Sequence, residues 1–125
     1  MIWIARIVVA LAGLFSLAMG VMAFASPTEA GQALGLGALS PLGLNALRAD
    51  IGSFFLTAAL ACIVALFANK PSALWAAASL YGVAVIGRFI GVIVDGAPEG
   101  VAQPIIVELV MVAFLVFGAK VLKRA

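Results

Sequence analysis

The amino-acid sequence predicts an all-α fold, an integral membrane four-helix bundle. Three observations carry that prediction. Of 125 residues, 66% are hydrophobic and 10% are charged, and the mean hydropathy is +1.31. A water-soluble domain of this size exposes too much of its surface to hide that much apolar area. The apolar residues also gather in four runs, near 2–25, 41–68, 72–94 and 104–122, divided by polar stretches bearing Pro, Gly or Ser. About twenty apolar residues in a helix cross a ~30 Å hydrocarbon core, so the runs are of spanning length. Charged residues, finally, sit mostly between the runs or at their ends, with Arg88 and Glu108 inside. Residues 1–125 are therefore expected to form a single transmembrane domain.

The first run extends from Ile2 to Ala25. A cleavable signal peptide is the rival reading, because Ala23-Phe24-Ala25 precedes Ser26. The run is longer than the apolar core of such a peptide, which favours a retained span. Gly13, Ser16 and Gly20 fall on one helical face, and small residues there admit a close neighbour. Ser26-Pro27 reads as a helix start. The glycine-bearing stretch from Thr28 to Gly37 reads as a short interfacial helix or a re-entrant turn between the first and second spans. Ser40-Pro41 repeats the start signal, and the second span follows it to about Phe67. Within that span Asp50, Ser53 and Thr57 share a face at i, i+3 and i+7. Asn69-Lys70-Pro71-Ser72 is a tight polar turn into the third span. Trp75 there suits an interfacial anchor. Gly87 and Gly91 form a small-xxx-small pair, which predicts helix contact. An acidic turn, Asp95 to Gly100, leads to Gln103-Pro104 and the fourth span.

Alternating connections place Arg6, Lys70, Lys120, Lys123 and Arg124 on one side of the membrane. Glu29, Asp50, Asp95, Glu99 and Glu108 lie on or toward the other. The positive-inside rule assigns the basic side to the cytoplasm, so both termini are expected there.

An arginine inside a span costs roughly 3 kcal/mol or more unless something answers it. At 1.5 Å per residue, Arg88 lies ~10 Å below the outer end of its helix and Glu108 ~6 Å below the outer end of the next. Asp50 enters the membrane at the same side, with Arg48 beside it. Asp95 and Tyr81 stand seven residues after and before Arg88, on its face. The expected pair is Arg88 with Glu108, with Asp50 as a second acceptor, since guanidinium can fork to two carboxylate oxygens. The candidate site is this outer-leaflet cluster of Arg48, Asp50, Arg88, Asp95 and Glu108. Ser53, Thr57 and Tyr81 are its candidate pocket lining. Phe54, Phe55 and Phe89 are further aromatic candidates for its wall, against the commoner role of helix packing.

Several chemistries lack their residues. Histidine is absent and Cys62 is the one cysteine, so no metal site is predicted. Cys62 reads as a small buried hydrophobe. Ser53 and Thr57 have no base beside them, the glycines form no dinucleotide fingerprint, and no enzyme activity or cofactor is predicted. A net charge of +2 without a basic run gives no nucleic-acid footprint. Three functions suit what is left. The first is a binding module for a lipid or quinone-like amphipathic molecule. The second is a structural or assembly subunit that forms a homo-oligomer or joins a larger membrane complex. The third is a small proton-coupled transporter working through Glu108 or Asp50. Membrane lipids are partners in every case.

Arg48-Ala49-Asp50-Ile51-Gly52, Gly87-Arg88-Phe89-Ile90-Gly91 followed by Asp95-Gly96, and a glutamate one turn into the fourth span occur in that order. With that spacing the chain resembles a family of small bacterial four-helix inner-membrane proteins of unknown function, distantly similar to the DoxX-like group. The resemblance runs from Ile2 to Leu122. It implies a multi-pass four-helix bundle in the bacterial inner (cytoplasmic) membrane, with Arg48, Asp50, Arg88, Asp95 and Glu108 as the residues of interest. The wider DoxX-like group implies quinone-coupled redox chemistry or assembly roles, with the electrons supplied by a partner.

Overall fold

Four long helices and one short one account for the computed structural model, which describes residues 1–123. Arg124, assigned above to the basic side, lies outside the described residues. The long helices are α1 (Ile2–Ala25), α3 (Pro41–Phe67), α4 (Pro71–Asp95) and α5 (Ala102–Lys123), each long and apolar enough to cross a membrane. The short helix α2 (Pro27–Ala33) lies between the first two spans. Among the described residues there is no strand. The chain is thus a multi-pass membrane protein. Its outward faces carry exposed Leu11, Leu14, Leu60, Ile86 and Leu109, the surface that lipid solvates.

The two Ser-Pro start signals behave differently. Ser40 is extended, and its Oγ accepts a hydrogen bond from the Gly43 N–H at 3.1 Å. Ser26 makes no side-chain cap. Its own N–H closes α1 by donating to the Met22 carbonyl at 2.7 Å. One residue therefore ends α1 and starts α2, and its backbone is set by the first of these duties. Helix α2 closes when the Leu36 N–H returns to the Gly31 carbonyl at 2.7 Å. Helix α3 is not uniform. Leu47–Ile51 forms a π-helical turn, which winds one extra residue into the helix. Nothing in the residue pattern announced that turn. Asn69 takes a left-handed φ of 55° and ends α3 before Pro71.

Helix α1 packs beside α3 and α5, and α4 packs beside the same two. The spans thus stand as a square, with α1 and α4 on one diagonal. The α1–α3 seam is made of small residues. A Cβ added at Gly13 would lie 3.0 Å from the Cys62 Cβ, and one added at Gly20 would lie 2.6 Å from the Leu56 side chain. Gly52 faces Phe24 as closely. Cys62 is buried in this seam, a small apolar group filling space. Without a hydrophobic drive between helices in lipid, such close approach supplies the van der Waals energy of association. Gly87 and Gly91, expected to do the same, do not. A Cβ at either meets nothing within 4 Å, because α4 turns other residues, Ala77, Tyr81 and Val85, to the interior.

The connections 26–40 and 96–101 share one end of the bundle. At the other end lie Arg6, Lys70, Lys120 and Lys123. Arg6 donates from a terminal nitrogen to the Leu66 carbonyl at 3.4 Å. This places a cation at the C-terminal turn of α3, where the helix dipole favours it.

Candidate functional site: a half-satisfied ion pair beside an aromatic cavity

Arg88 lies on α4 two turns before its end, and Glu108 lies on α5 two turns after its start. The helices are neighbours and antiparallel, so the two residues come level. Arg88 Nε donates to Glu108 Oε1 at 2.5 Å. Glu108 is only 8% exposed, while the arginine side chain keeps 30% of its surface. The contact is single, not the fork that guanidinium can make. The terminal nitrogens of Arg88 have no hydrogen bond among the described residues. Glu108 Oε2 is buried and has no partner there either. A buried carboxylate oxygen without a donor costs more than an ordinary hydrogen bond contributes.

Arg88 and Glu108 line a cavity of about 740 Å³. Its inner wall is aromatic, formed by Phe15 from α1, Phe54 and Phe55 from α3, and Tyr81 from α4. Phe54 meets Tyr81 edge-on at 5.2 Å and Phe55 at 5.0 Å, the arrangement that ring quadrupoles favour. The outer rim comes from the two connections: Leu34 and Gly35 on one side, Pro98 to Val101 on the other, with Gln103 and Pro104 opening α5. Tyr81 is almost wholly buried, and its hydroxyl shares a 2.7 Å hydrogen bond with Ser16 Oγ across the diagonal of the square. Arg88 also borders a second, shallower groove of about 370 Å³ that includes Asp95 and Gly96. The guanidinium therefore stands between cavity and groove.

A family model matches residues 4–119, a stretch that includes the ion pair, the aromatic wall and both rim connections. The chain belongs to the family described as Domain of unknown function (DUF4345). No curated protein and no solved structure matches it.

In this DUF4345 chain the other predicted site residues are dispersed. Asp50 is exposed, makes no ion pair among the described residues, and does not line the cavity. It lies within the π-helical turn, whose extra residue changes the rotational phase of the helix by about 100° between its two sides. Arg48 lies in the same turn, is likewise exposed, and makes no ion pair among the described residues. Asp95 shares the groove with Arg88 but forms no ion pair with it within 4 Å. Ser53 and Thr57 are exposed and outside the cavity lining. The interior face of α3 is taken by Gly52, Phe55, Ala59 and Cys62, which leaves Ser53 and Thr57 on the opposite side. Ser53 satisfies itself by donating to the Asp50 carbonyl at 3.1 Å, so it needs no partner from another helix. Tyr81, Phe54 and Phe55 do line the cavity, whereas Phe89 is exposed. Sequence reasoning missed Phe15, Gln103 and the pairing role of Ser16. Only Ser16 left a signal: a hydroxyl and a phenol in mid-span each require a partner.

Proposed function

We propose that this protein binds an amphipathic small molecule of the lipid or quinone kind, with its polar head at Arg88 and Glu108 and its apolar part along the aromatic wall. Quinone enters that range through the resemblance to the DoxX-like group. The observation that carries the reading is Glu108, which lines a cavity of about 740 Å³ and whose buried Oε2 has no donor among the described residues. Sites for small molecules are apolar cavities of roughly 300–1,000 Å³ with a few convergent polar groups, and this one has that composition. The polar residues add a requirement: the head must donate to Glu108, and an acceptor group, where the head carries one, can meet the terminal nitrogens of Arg88. The charge distribution supports termini in the cytoplasm with the cavity toward the opposite side, and the resemblance to small bacterial inner-membrane proteins supports the bacterial inner membrane as the location.

Native mass spectrometry of protein taken from its own membranes in mild detergent tests the reading. The expected spectrum shows a retained molecule that is reduced in Arg88→Lys, where charge stays and the planar donor set goes. Protein that is ligand-free under conditions that keep it folded overturns it. A second reading, assembly with itself or a larger complex, is favoured by the open face at Gly87 and Gly91, where small residues meet nothing. The same spectrum reports the mass of any such assembly.

A further inference from the structure

Three ionisable groups other than Tyr81 line the cavity, Arg88, Glu99 and Glu108. Two bring carboxylates and one a guanidinium, so the formal charge of the walls is negative. Asp95 adds a further carboxylate on the groove beyond Arg88. An anionic head attracted by Arg88 would therefore enter against a majority of like charge. Of the two Glu108 oxygens, Arg88 engages only Oε1. The other is buried and calls for a hydrogen-bond donor.

We infer that the cavity takes an amphiphile whose head is an ammonium bearing N–H groups, with one N–H donated to Glu108 Oε2. The inference rests on the ligand-binding reading above and narrows it toward the lipid side. Each feature of the head answers a feature of the wall. Positive charge answers the excess of carboxylates. The N–H answers Oε2, which a quaternary ammonium cannot do because it has no hydrogen to donate. Phe15, Phe54, Phe55 and Tyr81 add ring faces, which attract cations, and apolar surface for the chain. Oε2 itself is buried beneath the cavity surface. Rotation about the last torsion of the glutamate is soft, and it turns an oxygen toward an arriving donor without moving the helix. The same head occurs on two kinds of molecule, a free long-chain amine and a phosphatidylethanolamine. The second would also bring a phosphate to the terminal nitrogens of Arg88.

The test uses the full chain in a neutral maltoside detergent and reads the thermal unfolding midpoint against added amphiphile. Four twelve-carbon probes separate the terms: dodecylamine, dodecyltrimethylammonium, dodecanol and dodecyl sulfate. Dodecylamine should raise the midpoint in a saturable way, with at least tenfold weaker half-saturation for the trimethylammonium and the alcohol. Glu108→Gln should abolish the shift. If that variant does not fold, Glu99→Gln at the exposed rim reports the same preference by weakening dodecylamine several-fold. Retention of phosphatidylethanolamine over phosphatidylcholine on native mass spectrometry identifies a lipid as the source of the head. Dodecylamine binding without that preference identifies a free amine, and either result supports the inference. Saturable stabilisation by dodecyl sulfate that exceeds that by dodecylamine overturns the ammonium and leaves the binding reading standing. No saturable response to any probe or lipid overturns both.

Discussion

Among the described residues two side-chain-to-side-chain polar pairs cross between helices, and they are finished to different degrees. Ser16 and Tyr81 meet at 2.7 Å. Each hydroxyl is the other's partner, and both residues are almost wholly buried. Arg88 and Glu108 meet at 2.5 Å, but one carboxylate oxygen and the terminal nitrogens of the guanidinium have no partner among the described residues. The pairs lie on the same cavity, since Tyr81, Arg88 and Glu108 all line it. A polar contact that serves only to join helices can be complete, because nothing else needs its atoms. The incomplete contact keeps its most expensive group in reserve. That difference, rather than the presence of charge in a membrane, separates the structural pair from the candidate site.

The largest expected effect comes from breaking the incomplete pair on one side. Arg88→Ala leaves Glu108 buried without a counter-charge, and such removals cost about 3–5 kcal/mol. The detergent-solubilised variant should unfold at a clearly lower temperature. Replacing both partners, Arg88→Leu with Glu108→Leu, should restore most of that stability, because an apolar pair needs no desolvation. The double variant should nevertheless retain no ligand. If it unfolds as early as Arg88→Ala, the pair is a structural bolt like the other one.

An intermediate effect is expected at the complete pair. Ser16→Ala leaves the buried Tyr81 hydroxyl alone and should cost about 1–3 kcal/mol. Tyr81→Phe should cost less, about 1 kcal/mol, because Ser16 can then donate to a carbonyl of its own helix. Ligand retention in Ser16→Ala should match the unaltered protein when both are measured well below their unfolding midpoints. The smallest effect belongs to Asp50→Asn. An exposed group with no ion pair should move stability by under about 0.5 kcal/mol and leave retention unchanged. A large loss on that substitution would return Asp50 to the site.

What the residues disclosed in advance was depth, not direction. Arg88 and Glu108 were found by counting rise along two helices, since antiparallel neighbours bring equal depths level. Asp50 has a suitable depth too, yet it faces away. A helix that is apolar all round carries no stripe to say which side is inward, so the facing of Ser53, Thr57 and Gly87 was not legible. Glycines behave alike in sequence, and only packing separates Gly20, pressed on Leu56, from Gly87, where an added Cβ would meet nothing within 4 Å. The rim at Leu34, Gly35 and Pro98 to Val101 was hidden for another reason: two connections distant in sequence share an end of the bundle, and their fold over the cavity is a tertiary matter. The π-helical turn at Leu47–Ile51 left no compositional trace.

The cavity occupies one half of the bundle only. Past Phe55 and Tyr81 the square closes on Ala58, Ala61, Ala65, Leu74, Leu115 and Leu122, all buried in one continuous core. On the proposed reading, a molecule bound beside Arg88 would meet that core as a floor. A vessel of that shape would keep its contents within a single leaflet, half a membrane away from the opposite compartment.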